Sequence, residues 1–133
     1  MSTPLSYDPV EYDFAVSLNA LAERAHANSR AKGFWSCIDD LKTHPRFAEI
    51  EVMWKLSRIA LIHSEASEAL EGIRKDLKDD HLPERSMEVA ELADIIVRCL
   101  DYAGAYNLPL GEVIVEKMRY NSGRPFMHGD KKA

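Results

Sequence analysis

Between Leu61 and Tyr102 the sequence carries two helical segments, each with a pair of acids three residues apart: Glu65-Ala-Ser-Glu68 and Glu91-Leu-Ala-Asp94. Residues i and i+3 share a helix face with their Cβ atoms about 5–6 Å apart. Each pair therefore presents two carboxylates from one side. If the two helices pack against each other with those faces together, four oxygen ligands converge on one opening.

The second segment constrains the arrangement further. Residues advance about 100° each around a helix, so Glu91, Asp94, Arg98 and Asp101 fall in one narrow stripe. A broad apolar face of Val89, Leu92, Ala93, Ile96, Val97, Leu100 and Ala103 borders it on one side, and Ile95, Cys99 and Tyr102 border it on the other. An ordinary surface helix has a broad polar back; an acidic stripe fenced by apolar residues is expected to be partly buried. Carboxylates in that position tend to be paired, protonated or bound to a cation. Arg98 is the stripe's only cation, against three acids. Glu65, Glu68, Glu91 and Asp94 form a hard-oxygen set without cysteine or histidine, which suits Mg²⁺ or Mn²⁺ better than zinc.

At 133 residues the chain is long enough for one domain with a real core, expected to span 1–133 with a short tail at 1–8 and a basic segment at 121–133. Its net charge of −5 argues against a surface for nucleic-acid polymers, which are held by basic patches. The two cysteines, Cys37 and Cys99, form no CxxC and no disulfide framework, so a reducing cytoplasm is expected. The opening residues lack the basic start and apolar run of a signal peptide, and no apolar run reaches membrane-spanning length.

Periodicity predicts an all-α chain of four helices. Asp8-Pro9-Val10-Glu11 has a capping acid, proline at the first position and glutamate three residues after the cap, so a helix runs from there to about Ala31. Lys32-Gly33-Phe34-Trp35 breaks it; the two rings are either core plugs or a flat wall against a base. A polar connection from Ser36 to His44 leads to a long helix from about Pro45 to Lys78, with Phe47, Ile50, Trp54, Ile59, Ile62, Ala66, Leu70 and Ile73 on or near its apolar face. A short loop containing Pro83 sets the third helix, to about Tyr106, antiparallel to the second. Asn107-Leu108-Pro109 starts a fourth. The stretch after it, from Lys117 to Lys131, is basic, and its Asn-Ser-Gly-Arg-Pro is built to turn. That turn either leaves a disordered tail or folds the basic residues over the acids.

The ordered set of Glu65/Glu68, Glu91/Asp94, Lys32-Gly-Phe-Trp35 and Asn121-x-x-Arg124-Pro-x-x-His128-Gly resembles the MazG-like, all-α nucleoside triphosphate pyrophosphohydrolases, particularly the small, phage-type, single-domain members. The resemblance touches about residues 26 to 131. Asp130 departs from it, standing where lysine would be expected to follow Gly129 directly.

The resemblance implies a four-helix MazG-like bundle assembling as a homodimer or a tetramer built from dimers. It implies hydrolysis of a nucleoside triphosphate to monophosphate and pyrophosphate in nucleotide-pool control, with two or more Mg²⁺ or Mn²⁺ ions held by Glu65, Glu68, Glu91 and Asp94. Glu65 and Glu68 are the candidates for the base that takes a proton from the attacking water. Lys32, Lys117, Arg119, Arg124 and Lys131 would offset phosphate charge, with Tyr120 and Asn121 donating hydrogen bonds. The base would lie toward the first helix, bounded by Trp35 and probed by Asn19 or Asn28. The width of Trp35 favours a deoxypurine triphosphate such as dGTP. The alternatives are dUTP, phosphoribosyl-ATP as substrate of a related pyrophosphohydrolase, and, from another class, a non-catalytic helical interaction module.

Overall fold

The structure, a computed structural model, describes residues 6–128. It forms five α-helices, α1 (Pro9–Ala31), α2 (Ser36–Asp39), α3 (Phe47–Lys75), α4 (Met87–Ala105) and α5 (Leu110–Ser122), and ends in one 3₁₀ turn at Phe126–His128. Among the described residues there is no strand, only an isolated bridge between Lys78 and Ser86. None of these helices is long and apolar enough to cross a membrane.

The first helix starts where its sequence says. Asp8 accepts from the Glu11 amide at 2.9 Å and Glu11 accepts from the Asp8 amide at 3.0 Å, a reciprocal capping box followed by Pro9. The connection after Trp35 is not wholly irregular, as the polar sequence suggests: it holds α2, whose Ile38 is buried. Four residues are too few for periodicity to reveal. The long helix stops at Lys75 rather than Lys78, because Asp76 turns left-handed at φ 50° and its amide reaches back to the Gly72 and Ile73 carbonyls.

The packing centres on α4, which has α1 along one side and α3 along the other, while α5 follows the first half of α1. The three pairings are antiparallel, as the near neighbours show. Gly72 of α3 lies against Met87 of α4, Gly104 of α4 against Ala22 of α1, and Gly111 of α5 against Ala15 of α1. At Gly104 and Gly111 an added Cβ would stand 2.4 Å from a carbonyl oxygen of α1, so only glycine allows these approaches.

The apolar stripe expected on α3 does not all face inward. The residues α3 buries are Glu65, Ala69 and Gly72, whereas Ile59, Leu70 and Ile73 are exposed. Small residues let two helix axes come close, and the side chosen for packing is the small one. The core is correspondingly thin: Ala22, Leu100 and Ala103, backed by Leu18, Ala25 and Leu110.

Candidate active site

The α3–α4 pairing brings the acids together. Glu65 and Glu91 are both buried, each 6% exposed, and oxygens of Glu65, Glu91 and Asp94 all lie within 4.8 Å of one another. Glu68, the fourth predicted ligand, is exposed on α3 and stays outside this set. Its charge still bears on Glu91.

The electrostatics follow from burial and crowding. Burial first, then hydrogen bonding to Glu65 and the charges of Glu68, Glu65 and Asp94, pushes the Glu91 carboxyl up to about 7. Burial and the Glu65 charge also raise Asp94. For Glu65 burial works upward as well. It is outweighed by the Arg98 guanidinium, which donates from Nε to Oε1, and by hydrogen bonding to Glu91 and Glu68, so this carboxyl is held below its ordinary value. Among the described residues Glu91 Oε2 is buried with no hydrogen-bond partner. A buried acceptor without a donor is costly. Three hard oxygen donors and one orphaned atom fit a divalent cation of the Mg²⁺ or Mn²⁺ type.

Beside the acids opens a cavity of about 800 Å³, walled by the second half of α1, the Phe34-Trp35 corner, the middle of α3, and α4. Glu65 and Asp94 stand on its wall, as do four cations, Arg24, Lys32, Arg58 and Arg98, and the polar residues Asn28, Ser29 and Asp101. Of the residues singled out for phosphate, base or ribose, Lys32, Asn28 and Trp35 line this cavity.

Trp35 is a core plug more than an open wall. It is 4% exposed, with His26, Trp54 and Tyr106 meeting its ring edge-on at centroid distances of 5.0, 5.6 and 6.0 Å. Its Nε1 donates to Asp101 Oδ1 at 3.0 Å. Phe34, 63% exposed, is the ring with an open face at the cavity.

The structure does not bring the other predicted contacts there. Asn19 donates to both Glu112 oxygens at 2.9 Å and accepts from the Gly111 amide at 2.9 Å, tying α1 to the start of α5 away from the acids. Arg119 is held by Glu11 and by the Ser6 carbonyl. Lys117 and Arg124 flank the Tyr120 ring at 5.4 and 5.7 Å, and Asn121 is exposed nearby. At about 1.5 Å of rise per residue, the runs from Glu11 to His26 on α1 and from Asp101 to Glu91 on α4 separate this basic end from the acids by roughly 35 Å. Lys131 lies outside the described residues.

The structure adds Arg24, Arg58, Asp101 and Tyr102 to the wall, and of the two adjacent rings it leaves Phe34 as the open one; helical spacing carries a signal for three of the added residues. Arg24 precedes Asn28 by one turn, Arg58 precedes Glu65 by two, and Asp101 follows Asp94 by two. Comparison with known proteins finds no matching family model, no matching curated protein and no matching solved structure.

Proposed function

We propose that the chain is a divalent-metal-dependent nucleoside triphosphate pyrophosphohydrolase of the MazG-like kind. The observation that carries the reading is a cavity with opposite chemistries side by side. Buried carboxylates, one with an orphaned oxygen, meet four cations around a space of about 800 Å³. That volume is within the range of small-ligand sites. A polyanion with an aromatic or polar remainder suits such walls, with its phosphates toward the cations and acids and its base toward Asn28, Ser29 and Phe34.

Glu65, Glu91 and Asp94 would hold the metal, with Glu68 one turn along α3. Bound there, Mg²⁺ or Mn²⁺ supplies neutralisation of the phosphates and acidification of a water. Glu65 or Glu68, whichever is not engaged as a ligand, would take the proton of the water attacking the α-phosphorus as the bond from that phosphorus to the pyrophosphate oxygen breaks, and Lys32, Arg24 and Arg58 would balance the charge of the departing pyrophosphate. The open ring that would stack on a base is Phe34; with Trp35 buried, its width no longer argues for a deoxypurine triphosphate such as dGTP over the other bases.

A second copy of the chain belongs to this reading. The protein exposes 10350 Å² of surface, against roughly 7,000 Å² for a compact monomer of this length. Val52, Met53, Leu56 and Ile59 on α3 and Val89, Leu92 and Ile96 on α4 are exposed. A dimer or tetramer would cover these faces.

The test is hydrolysis of the common NTPs and dNTPs plus dUTP with Mg²⁺, Mn²⁺ or EDTA, products resolved by ion exchange. Metal-dependent release of monophosphate and pyrophosphate supports the reading, and the fastest substrate names the base. No turnover and no thermal shift with Mn²⁺ would leave a helical interaction module.

A further inference from the structure

We propose that Arg98 is a stand-in cation for the metal: it neutralises Glu65 while the ion is absent, and a divalent ion displaces it from Glu65 into the cavity, where it serves the phosphates. This rests on the metal-centre reading above and assigns the one cation inside the acidic stripe a role.

The geometry gives three grounds. Arg98 follows Asp94 by one turn of α4 and reaches across to Glu65 of α3, so it spans the same gap as the proposed ion. Its hold is single: Nε donates to Glu65 Oε1, and among the described residues its two terminal nitrogens make no hydrogen bond. The strong arginine–carboxylate pair is a two-pronged fork; a one-pronged pair is easier to exchange. Third, the contact satisfies only part of the cluster. Glu65 is paired, but among the described residues Glu91 Oε2 is left with no donor and Asp94 with no ion pair. A divalent ion would meet all three carboxylates at once and competes for the oxygen Arg98 occupies.

Once off Glu65, the guanidinium need not travel far. Arg98 already lines the cavity with Arg24, Lys32 and Arg58, and its side chain is 39% exposed. Metal loading thereby adds a free cation to the wall that receives the triphosphate. Because linkage is reciprocal, a triphosphate that engages Arg98 also strengthens metal binding.

The opposing arrangement is an arginine that stays on Glu65 and orients it as a ligand, and the two differ in sign. Loss of an orienting outer partner weakens metal binding, typically 10–100-fold; loss of a competitor strengthens it. The experiment is Mn²⁺ titration of the full chain, followed by the electron paramagnetic resonance signal of free Mn²⁺, for wild type, Arg98→Gln and Arg98→Lys. Circular dichroism and melting of the metal-free proteins check folding. Arg98→Gln is expected to melt below wild type without metal, to bind Mn²⁺ about tenfold tighter, and to gain a larger Mn²⁺-induced thermal shift. Arg98→Lys, which keeps a displaceable charge, should stay within about threefold of wild type. Unchanged or weaker Mn²⁺ binding by folded Arg98→Gln overturns the proposal. If that variant does not fold, Arg98→Lys decides: Mn²⁺ affinity lowered beyond about tenfold overturns it equally. Wild type that binds no Mn²⁺ fails the metal-centre reading itself, a distinguishable result.

Discussion

Arg30 donates from Nε to His26 Nε2 at 2.9 Å, and this one bond fixes what the other side of the ring can do. Arginine only donates, so Nε2 is the accepting atom of this bond, which leaves Nδ1 as the donor to Asp101 Oδ1 at 2.9 Å. Asp101 also accepts from Trp35 Nε1. One carboxylate thus secures the corner where α1, α4 and the Phe34-Trp35 turn meet. Asp101→Ala would leave the Trp35 and His26 donors without it and should lower stability by about 2 kcal/mol in urea denaturation. Asp101→Asn, which keeps one acceptor, should cost less.

The two rings of the corner separate by role. Trp35→Ala removes a buried side chain and should destabilise by roughly 3–5 kcal/mol. Phe34→Ala removes an exposed one and should change stability by less than about 0.5 kcal/mol. In a steady-state assay of the proposed hydrolysis, Phe34→Ala should instead raise KM severalfold.

The acid cluster makes the metal-free protein sensitive to pH near neutrality. Glu91 is raised from its ordinary 4.5 to about 7 by burial and its acidic neighbours, so the folded chain keeps a proton there that the unfolded chain releases above about 4.5. The associated stability is complete below about pH 4.5 and is lost as pH rises through about 7. Melting without metal should therefore fall between about pH 5 and pH 8 from this group, and Glu91→Gln should remove that part of the slope. The variant should melt at or above wild type at pH 8. It should also lose more than about 100-fold in turnover, since even outer partners of a metal cost 10–100-fold.

Close helix contact predicts a steric defect far from the chemistry. A methyl at Gly104 would stand 2.4 Å from the Ala22 carbonyl oxygen and 2.8 Å from His26 Cβ. Backbone cannot yield as a flexible side chain does. Gly104→Ala should destabilise by about 1–3 kcal/mol or more, read as a shifted urea midpoint.

Leu56→Glu places a charge on the exposed apolar face of α3. If a second copy covers that face, sedimentation should show wild type as a dimer or tetramer and the variant as a monomer at the same concentration.

The sequence was legible where local chemistry sets the outcome. Asp8 and Glu11 announce the start of α1 because a capping box is made within one turn. The acids on α3 and α4 could be placed because helical spacing decides which side chains share a face, and the structure sets three of the four together. What escaped depends on distance partners. Periodicity marked Leu70 and Ile73 as apolar, but Ala69 and Gly72 set how α3 meets α4, and that selection needs the neighbour. The end of α5 falls within Asn-Ser-Gly-Arg-Pro, after Ser122, but where that end sits, at the start of α1, depends on Arg119 finding Glu11. Trp35 carries two plausible roles in any helix break, and only the surrounding His26, Trp54 and Tyr106 choose between them.

The order of helices also sets how much chain each contact must close. α1 finds its neighbours in α4 and α5, the last helices of the chain, whereas α3 and α4 are joined by a short loop and pack on each other. The residues that cover Ala15 and Ala22 of α1, Gly111 and Gly104, stand more than eighty positions later in the sequence. The α3–α4 hairpin closes over a far shorter stretch of chain and at lower entropic cost. The half of the molecule that carries Glu65, Glu91 and Asp94 is therefore closed by chain-local contact, whereas the other wall of the cavity, α1, is joined to it only across most of the chain's length.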